Sequence, residues 1–356
     1  MRLQRYSFFY STQVFFSFFF NFASSKHKIM ANKNMLGIGN ALVDILTQIP
    51  EDSILQALNL PKGTMQHVDA ETSQAVGVQL KTYGSAMAAG GSSANTMSGA
   101  AKLGVKCGYI GKVGQDLLGE FFTDEMRKTH VEPLLFTTPT PTGCAHAVIT
   151  PDGERTFATY LGAALELSDK DLTPELFQGW DIFYVEGYLV YNQPLLNKAL
   201  ALAKAQGMTI AMDLASYNVV EDNREYMQHI LSEYIDIVFA NKEEARAFTQ
   251  KDNPEEALHD LATLCDIAIV KVGAQGSWVQ RGAWTVRVEP VPAEVIDTTG
   301  AGDLWAAGFM AGYVKEASLD KCARMGSLLA SNIIEVLGAK MDENRWQKIF
   351  NSLEQL

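Results

Sequence analysis

From residue 181 onward, short apolar runs alternate with longer stretches in which apolar residues recur every three or four positions. The runs at 182–185, 208–212, 235–240 and 267–272 have the length and composition of buried strands. The intervening stretches at 193–206, 221–233 and 254–263 have helical spacing. This alternation predicts a doubly wound, mainly parallel α/β sheet with helices on both faces. Ligands in such a sheet lie at the carboxyl ends of the strands. Asp213, Asn241, Lys271 and the segment 297–303 fall at such ends, as does Glu186, although strand-end acids are common. Upstream, 35–39 reads as a first buried strand, a helix opens after Gly90-Gly91 and runs to Leu103, and 107–110 is a further strand. Residues 46–89 break short apolar runs with Pro50, Pro61-Lys62-Gly63 and Gly84, which predicts a small β lid over part of this region. Residues 131–161 alternate apolar and polar positions around a Pro151-Asp152-Gly153 turn, a hairpin signal.

With 356 residues, 47% of them hydrophobic, the chain can bury the core of one large domain, or of one domain with an insertion. A formal net charge of -12 argues against nucleic acid or an anionic membrane as the main partner. Cys107, Cys144, Cys265 and Cys322 form no CxxC pair, which fits reduced thiols better than a disulfide or zinc framework. The six histidines show no ligand spacing, and no P-loop, HExxH, GxSxG or protein-kinase HRD/DFG set is present. Gly37-Ile38-Gly39 opens a dinucleotide fingerprint but Leu42 stands where its third glycine belongs, which disfavours a dehydrogenase.

The chemistry concentrates in Asp297-Thr298-Thr299-Gly300-Ala301-Gly302-Asp303, which follows an extended segment and runs into a helix reaching about Lys315. Gly300 and Gly302 permit a tight turn that a ligand can approach closely. Because the turn feeds a helix, unpaired N–H groups of residues 300–303 and the positive end of the helix dipole meet at one point, a natural phosphate site. Asp303 in the first turn aims a carboxylate at the same place, where it can take the proton of an attacking hydroxyl. Further upstream, Gly91 lets a substrate lie against backbone and Asn95, one turn into its helix, can bond a hydroxyl.

The string D-T-T-G-A-G-D-x-x-x-A-G-F resembles the C-terminal signature of the ribokinase-like (PfkB-type) carbohydrate and nucleoside kinases. G-G-x-x-x-N from Gly90 to Asn95, then Leu103-Gly104, then G-x-V-G-x-D-x-x-G from Gly111 to Gly119 resembles its N-terminal signature, with Met97 where an Ala is more usual. The resemblance implies a ribokinase-like kinase domain over 30–356, with lid segments at about 43–68 and 131–161. It implies that Asp44, Gly91 and Asn95 hold the acceptor. It implies that Asn241 and Glu244 of an N-x-x-E motif lie near phosphate and Mg²⁺, with Glu244 acting through water. Lys271, Gly273 and Gly276 would form the nucleotide loop, and Ser331 and Asn332 would border adenine. Asp297 and Thr299 match positions that hold a monovalent cation such as K⁺ in some members; the sequence leaves open whether this chain binds one.

ATP-dependent transfer to a primary hydroxyl is thus the expected reaction. Gly187-Tyr188-Leu189 and the 159–163 string look more like adenosine kinases than ribokinase, with ribose or fructose as the alternative acceptor. A non-catalytic sugar-binding protein has no need of Asp303 at an anion hole. An ATP-using enzyme is expected in the cytoplasm, as a monomer or homodimer. Arg2, Arg5 and the aromatic-rich run from Tyr6 to Phe22 resemble a signal peptide or short anchor. Met30-Ala31-Asn32-Lys33 leads straight into the first strand, so residues 1–29 are expected to be an over-extended start with no folded role.

Overall fold

The computed structural model describes residues 33–356, so the expectation for residues 1–29 lies outside the described part. In chain order, β1 (Met35–Ile38) is followed by β2 (Leu42–Gln48), α1 (Ser53–Ala57), β3 (Met65–His67), α2 (Ala70–Leu80) and β4 (Ala86–Gly90). Next come α3 (Ser92–Lys102), β5 (Cys107–Gly114), α4 (Leu117–Lys128), β6 (Val131–Thr138), β7 (Thr142–Ile149) and β8 (Arg155–Gly162). The strand–helix half contains β9 (Ile182–Glu186), α5 (Gln193–Ala205), β10 (Thr209–Asp213), α6 (Tyr217–Tyr234), β11 (Ile237–Asn241), α7 (Lys242–Thr249) and α8 (Pro254–Leu261). It ends with β12 (Ile267–Lys271), β13 (Ser277–Arg281), β14 (Trp284–Val288), α9 (Ala301–Val314), α10 (Leu319–Ile333) and α11 (Glu343–Leu353).

The nine-stranded sheet has the order β14-β13-β12-β11-β10-β9-β1-β5-β6. All neighbours from β12 to β6 pair in parallel, and β13 and β14 add antiparallel strands at one edge. The interiors of the central strands are apolar because each face meets a separate core. Ile182, Tyr184, Phe239 and Ile269 pack with α3, α4 and α9 to α11, whereas Phe183, Val185, Val238 and Val270 pack with α5 to α8. Met97, unusual for the family signature, is fully buried in the first core and fills the space over Gly37 of β1. The strand order reverses at β1, so the carboxyl ends of β1 and β9 form the switch point, where ligands of such sheets bind.

A five-stranded sheet of order β3-β8-β7-β2-β4 forms the second layer. Its membership differs from the expected lid in two ways. Val131–Thr138 pairs with β5 at the edge of the large sheet, because it continues the apolar register of Cys107–Gly114. Ala86–Gly90, which has no strand-like alternation of its own, pairs antiparallel with β2. Helices α1 and α2 cover the outer face over a small core of Leu55, Leu58, Val76, Leu80 and Val148. The chain enters the lid through Asn40 and returns through Gly91, and the two crossings touch. Gly91 has φ of 95°, and any Cβ there would collide with the Asn40 carbonyl. The expected extended segment 286–296 is strand only as far as Val288. Among the described residues, no helix is long and apolar enough to cross a membrane.

Candidate active site

Two helix N-termini meet above the switch point. Gly99 of α3 lies against Ala307 and Leu304 of α9 with no room for a Cβ, so the two helices run in close contact. Helix α9 starts at Gly300, whose φ of 74° turns the chain and which offers no side-chain cap. Its first N–H groups therefore have no side-chain acceptor, except that Ala301 N–H donates to the Thr298 carbonyl. The Asp303 carboxylate is held by α3: Ser92 Oγ donates to Oδ1 at 2.7 Å and Asn95 Nδ2 to Oδ2 at 3.0 Å. Burial pushes Asp303 above the usual carboxylate range, while these two donors and Lys271 pull it back and Asp213 adds to the rise.

Below them, Glu186 closes β9 at 1% exposure. Its Oε1 accepts from the Asn40 backbone N–H at 2.8 Å and from Asn40 Nδ2 at 2.6 Å, and Oε2 accepts from Ser93 N–H at 3.2 Å. Burial pushes it up to about 7 against those backbone donors. One carboxylate thus joins the lid crossing to the first turn of α3. Asp44, on lid strand β2, packs against Gly90 with no room for a Cβ there. Burial pushes it to about 6; the Lys340 and Arg155 cations oppose the rise and Asp303 adds to it.

On the other side, Lys271 at the end of β12 donates to Asp213 Oδ2 at 2.8 Å, in a pair that is nearly closed to solvent. Its Nζ lies 3.2 Å from the point where a Gly302 Cβ would stand, beside the turn. Burial works against the ammonium, but Asp213 and Glu244 outweigh it and hold it above the ordinary lysine range. Asn241 and Glu244 form a capping box at the start of α7. Asn241 Oδ1 accepts from Glu244 N–H at 2.9 Å, and Glu244 Oε2 accepts from Asn241 N–H at 2.7 Å. Burial and then Asp213 push Glu244 up to about 7, with Lys271 opposing. Asp213, Glu244 and Asp303 all lie within electrostatic reach of the single Lys271 ammonium.

Asp297 and Thr299 both contact Arg155. Asp297 Oδ1 accepts from Thr299 N–H at 2.9 Å, Oδ2 accepts from Gly338 N–H, and the carboxylate is ion-paired with Arg155. Thr299 Oγ1 accepts from Arg155 Nη1 at 2.6 Å. The Arg155 guanidinium thus bridges the two residues at which the sequence left a monovalent cation open. Gly273 and Gly276 flank the turn between β12 and β13, and Gly276 abuts the Val288 carbonyl with no space for a side chain. The amides and hydroxyls of Asn332 and Ser331 turn back onto the Leu328 carbonyl of their own helix.

The structure thus brings Asp303, Gly300, Ala301, Gly302, Asn95 and Lys271 together, with Asp44 and Asp297 alongside. Ser92, Arg155 and Lys340 join them without having been singled out from sequence. Glu186 and Asp213 directly follow the apolar runs Ile182–Val185 and Ile210–Met212, and that contrast is the signal which could have promoted both. Asp116, in the N-terminal motif, instead caps α4 through Gly119 N–H and accepts from the Thr142 N–H and hydroxyl, tying the base of the lid to the core.

A family model described as pfkB family carbohydrate kinase matches residues 64–345. The crystal structure of an adenosine kinase from Sinorhizobium meliloti superposes with a TM-score of 0.81 at 35% identity, covering 90% of this chain and 100% of that one. A probable sugar kinase from Rhizobium etli CFN 42 gives a TM-score of 0.81 at 32% identity, with 90% and 98% covered. A nucleoside kinase of Methanocaldococcus jannaschii is 28% identical over 271 residues, 74% of this chain and 85% of its own length. The chain belongs to the pfkB family of carbohydrate kinases, phosphotransferases with an alcohol group as acceptor.

Proposed function

We propose that this protein transfers the γ-phosphoryl group of ATP to the primary hydroxyl of a nucleoside, adenosine being the favoured acceptor. The observation that carries the reaction is the Asp303 carboxylate, fixed by Ser92 and Asn95 at the uncapped start of α9. ATP would supply the phosphoryl group, and Glu244 and Asp213 would hold, through water, a Mg²⁺ ion that offsets its charge. Asp303 accepts the hydroxyl proton as the oxygen attacks. The N–H groups of Gly302 and Asp303 and the Lys271 ammonium stabilise charge on the migrating group. Asn241 and the 273–276 turn line the nucleotide side. Asp44, Gly91 and Asn95 orient the acceptor, and Asp44 stays ionised near neutrality because Lys340 and Arg155 oppose its burial.

The lid supports a nucleoside over a free sugar. Asp44, Ala145 and Thr159 share one face by register, as do Leu46, Ala147 and Phe157 one step along. The face that carries Asp44 is therefore mostly apolar, as an aromatic base requires and a sugar does not. A free sugar is the second reading, favoured by the 32% identity to a probable sugar kinase. ADP release from Mg·ATP over adenosine, inosine, ribose and fructose separates them. Turnover confined to a free sugar would remove the nucleoside and keep the mechanism. Binding of ATP with no turnover on any acceptor would remove the kinase reading.

Ser92→Ala provides a further expected result. Its hydroxyl bonds the charged form of Asp303, so losing it raises an already raised pKa. The acid limb of the pH–rate profile should move to higher pH, with the alkaline plateau largely retained. An unmoved limb would mean that Ser92 does not hold the base.

A further inference from the structure

We propose that Arg155 is a built-in cation in the place where a monovalent metal ion would otherwise sit beside the phosphate-binding turn, so that this kinase needs no K⁺. The inference rests on the 297–303 turn being that phosphate site. Asp297 is 6% exposed, and a carboxylate so enclosed needs a positive partner. The Arg155 guanidinium, on a side chain only 11% exposed, fills that need with one arm on Asp297 and Nη1 on Thr299 Oγ1 at 2.6 Å. Asp297 also accepts from Thr299 N–H on Oδ1 and from Gly338 N–H on Oδ2. A metal ion coordinated by the same carboxylate and hydroxyl oxygens would have to displace the guanidinium. The planar fork of a guanidinium matches a carboxylate and a neighbouring hydroxyl together.

The cation also comes from a different layer than the turn it serves. Arg155 opens lid strand β8, whereas Asp297 and Thr299 belong to the core. Asp44, a lid carboxylate on the acceptor side, feels the same charge. Closing the lid therefore carries the cation and the acceptor carboxylate to the turn in one movement. A free ion would bind independently of the lid.

The test uses the full-length protein in chloride salts of K⁺, Na⁺ and tetramethylammonium at matched ionic strength, with two readouts: ADP release and the melting temperature without nucleotide. The wild type should give equal rates and equal melting temperatures in all three. Arg155→Ala should lose activity on the order of 10²-fold in tetramethylammonium, by analogy with removal of one charge-stabilising group. K⁺ should restore about tenfold of it and raise the melting temperature of the variant alone. Arg155→Lys, which keeps a cation and the lid contact, should remain indifferent to K⁺. Activation or stabilisation of the wild type by K⁺ over tetramethylammonium would overturn the proposal. So would an Arg155→Ala protein indifferent to K⁺ in both readouts. If no acceptor is phosphorylated, the kinase reading fails, yet the melting arm still decides the cation site. If Arg155→Ala does not fold, the wild-type and Arg155→Lys comparisons decide it.

Discussion

Asp303→Asn is expected to lower kcat on the order of 10²–10⁴-fold while leaving KM for acceptor and ATP near the wild-type values. The substitution suits the site, because the amide oxygen can keep the Asn95 bond while its NH₂ faces Ser92, whose hydroxyl can rotate to accept. Fold and ligand contacts should therefore survive, and only the proton acceptor is lost. The raised pKa of Asp303 strengthens the point: a carboxylate lifted by burial is a better base than a solvated one, and Asn offers no such group. Steady-state rates beside single-turnover rates would locate the loss in the chemical step, and an unchanged melting temperature would exclude misfolding. Near-normal turnover would remove Asp303 from its role and leave the turn a phosphate site without a base.

Much of this architecture is written locally. The parallel sheet is legible because strands buried on both faces leave unbroken apolar runs such as Ile182–Val185 ahead of Glu186. The turn at 297–303 is legible because its two glycines and its acid lie within a few residues of each other. The lid is less so. Ala86–Gly90 is a run of small residues whose strand conformation comes from pairing with β2, and β6 looks like the lid strands although its register with β5 places it in the core sheet. The least legible feature is charge partnership over long separations. Arg155 meets Thr299 across 144 positions and Ser92 meets Asp303 across 211. Nothing near Arg155 in sequence distinguishes it from an ordinary residue after a hairpin turn. Glu244 shows the converse: its motif suggests a site near metal and phosphate, but locally it forms a capping box that any helix start could use. Only its burial beside Asp213 and Lys271 marks it as more than a cap.

Lys271→Met should separate stability from catalysis in this half of the site. Removing the ammonium leaves Asp213 buried without its partner, and breaking one side of such a pair costs about 3–5 kcal/mol. Glu244 loses the same opposing charge and should hold its proton to still higher pH. Adding Asp213→Asn removes the stranded charge but keeps an acceptor for the Ala215 N–H, which Asp213 Oδ1 binds at 2.9 Å. The double variant should therefore recover most of the lost stability in urea or thermal unfolding. Its activity should not recover. The cation beside Gly302 is absent in both variants, and losing one such group opposite developing charge lowers kcat on the order of 10²–10³-fold. Recovery of stability together with activity would make the Lys271–Asp213 pair a structural tie between β10 and β12. Recovery of stability alone would give the pair a part in the chemistry, with the Lys271 Nζ beside the turn.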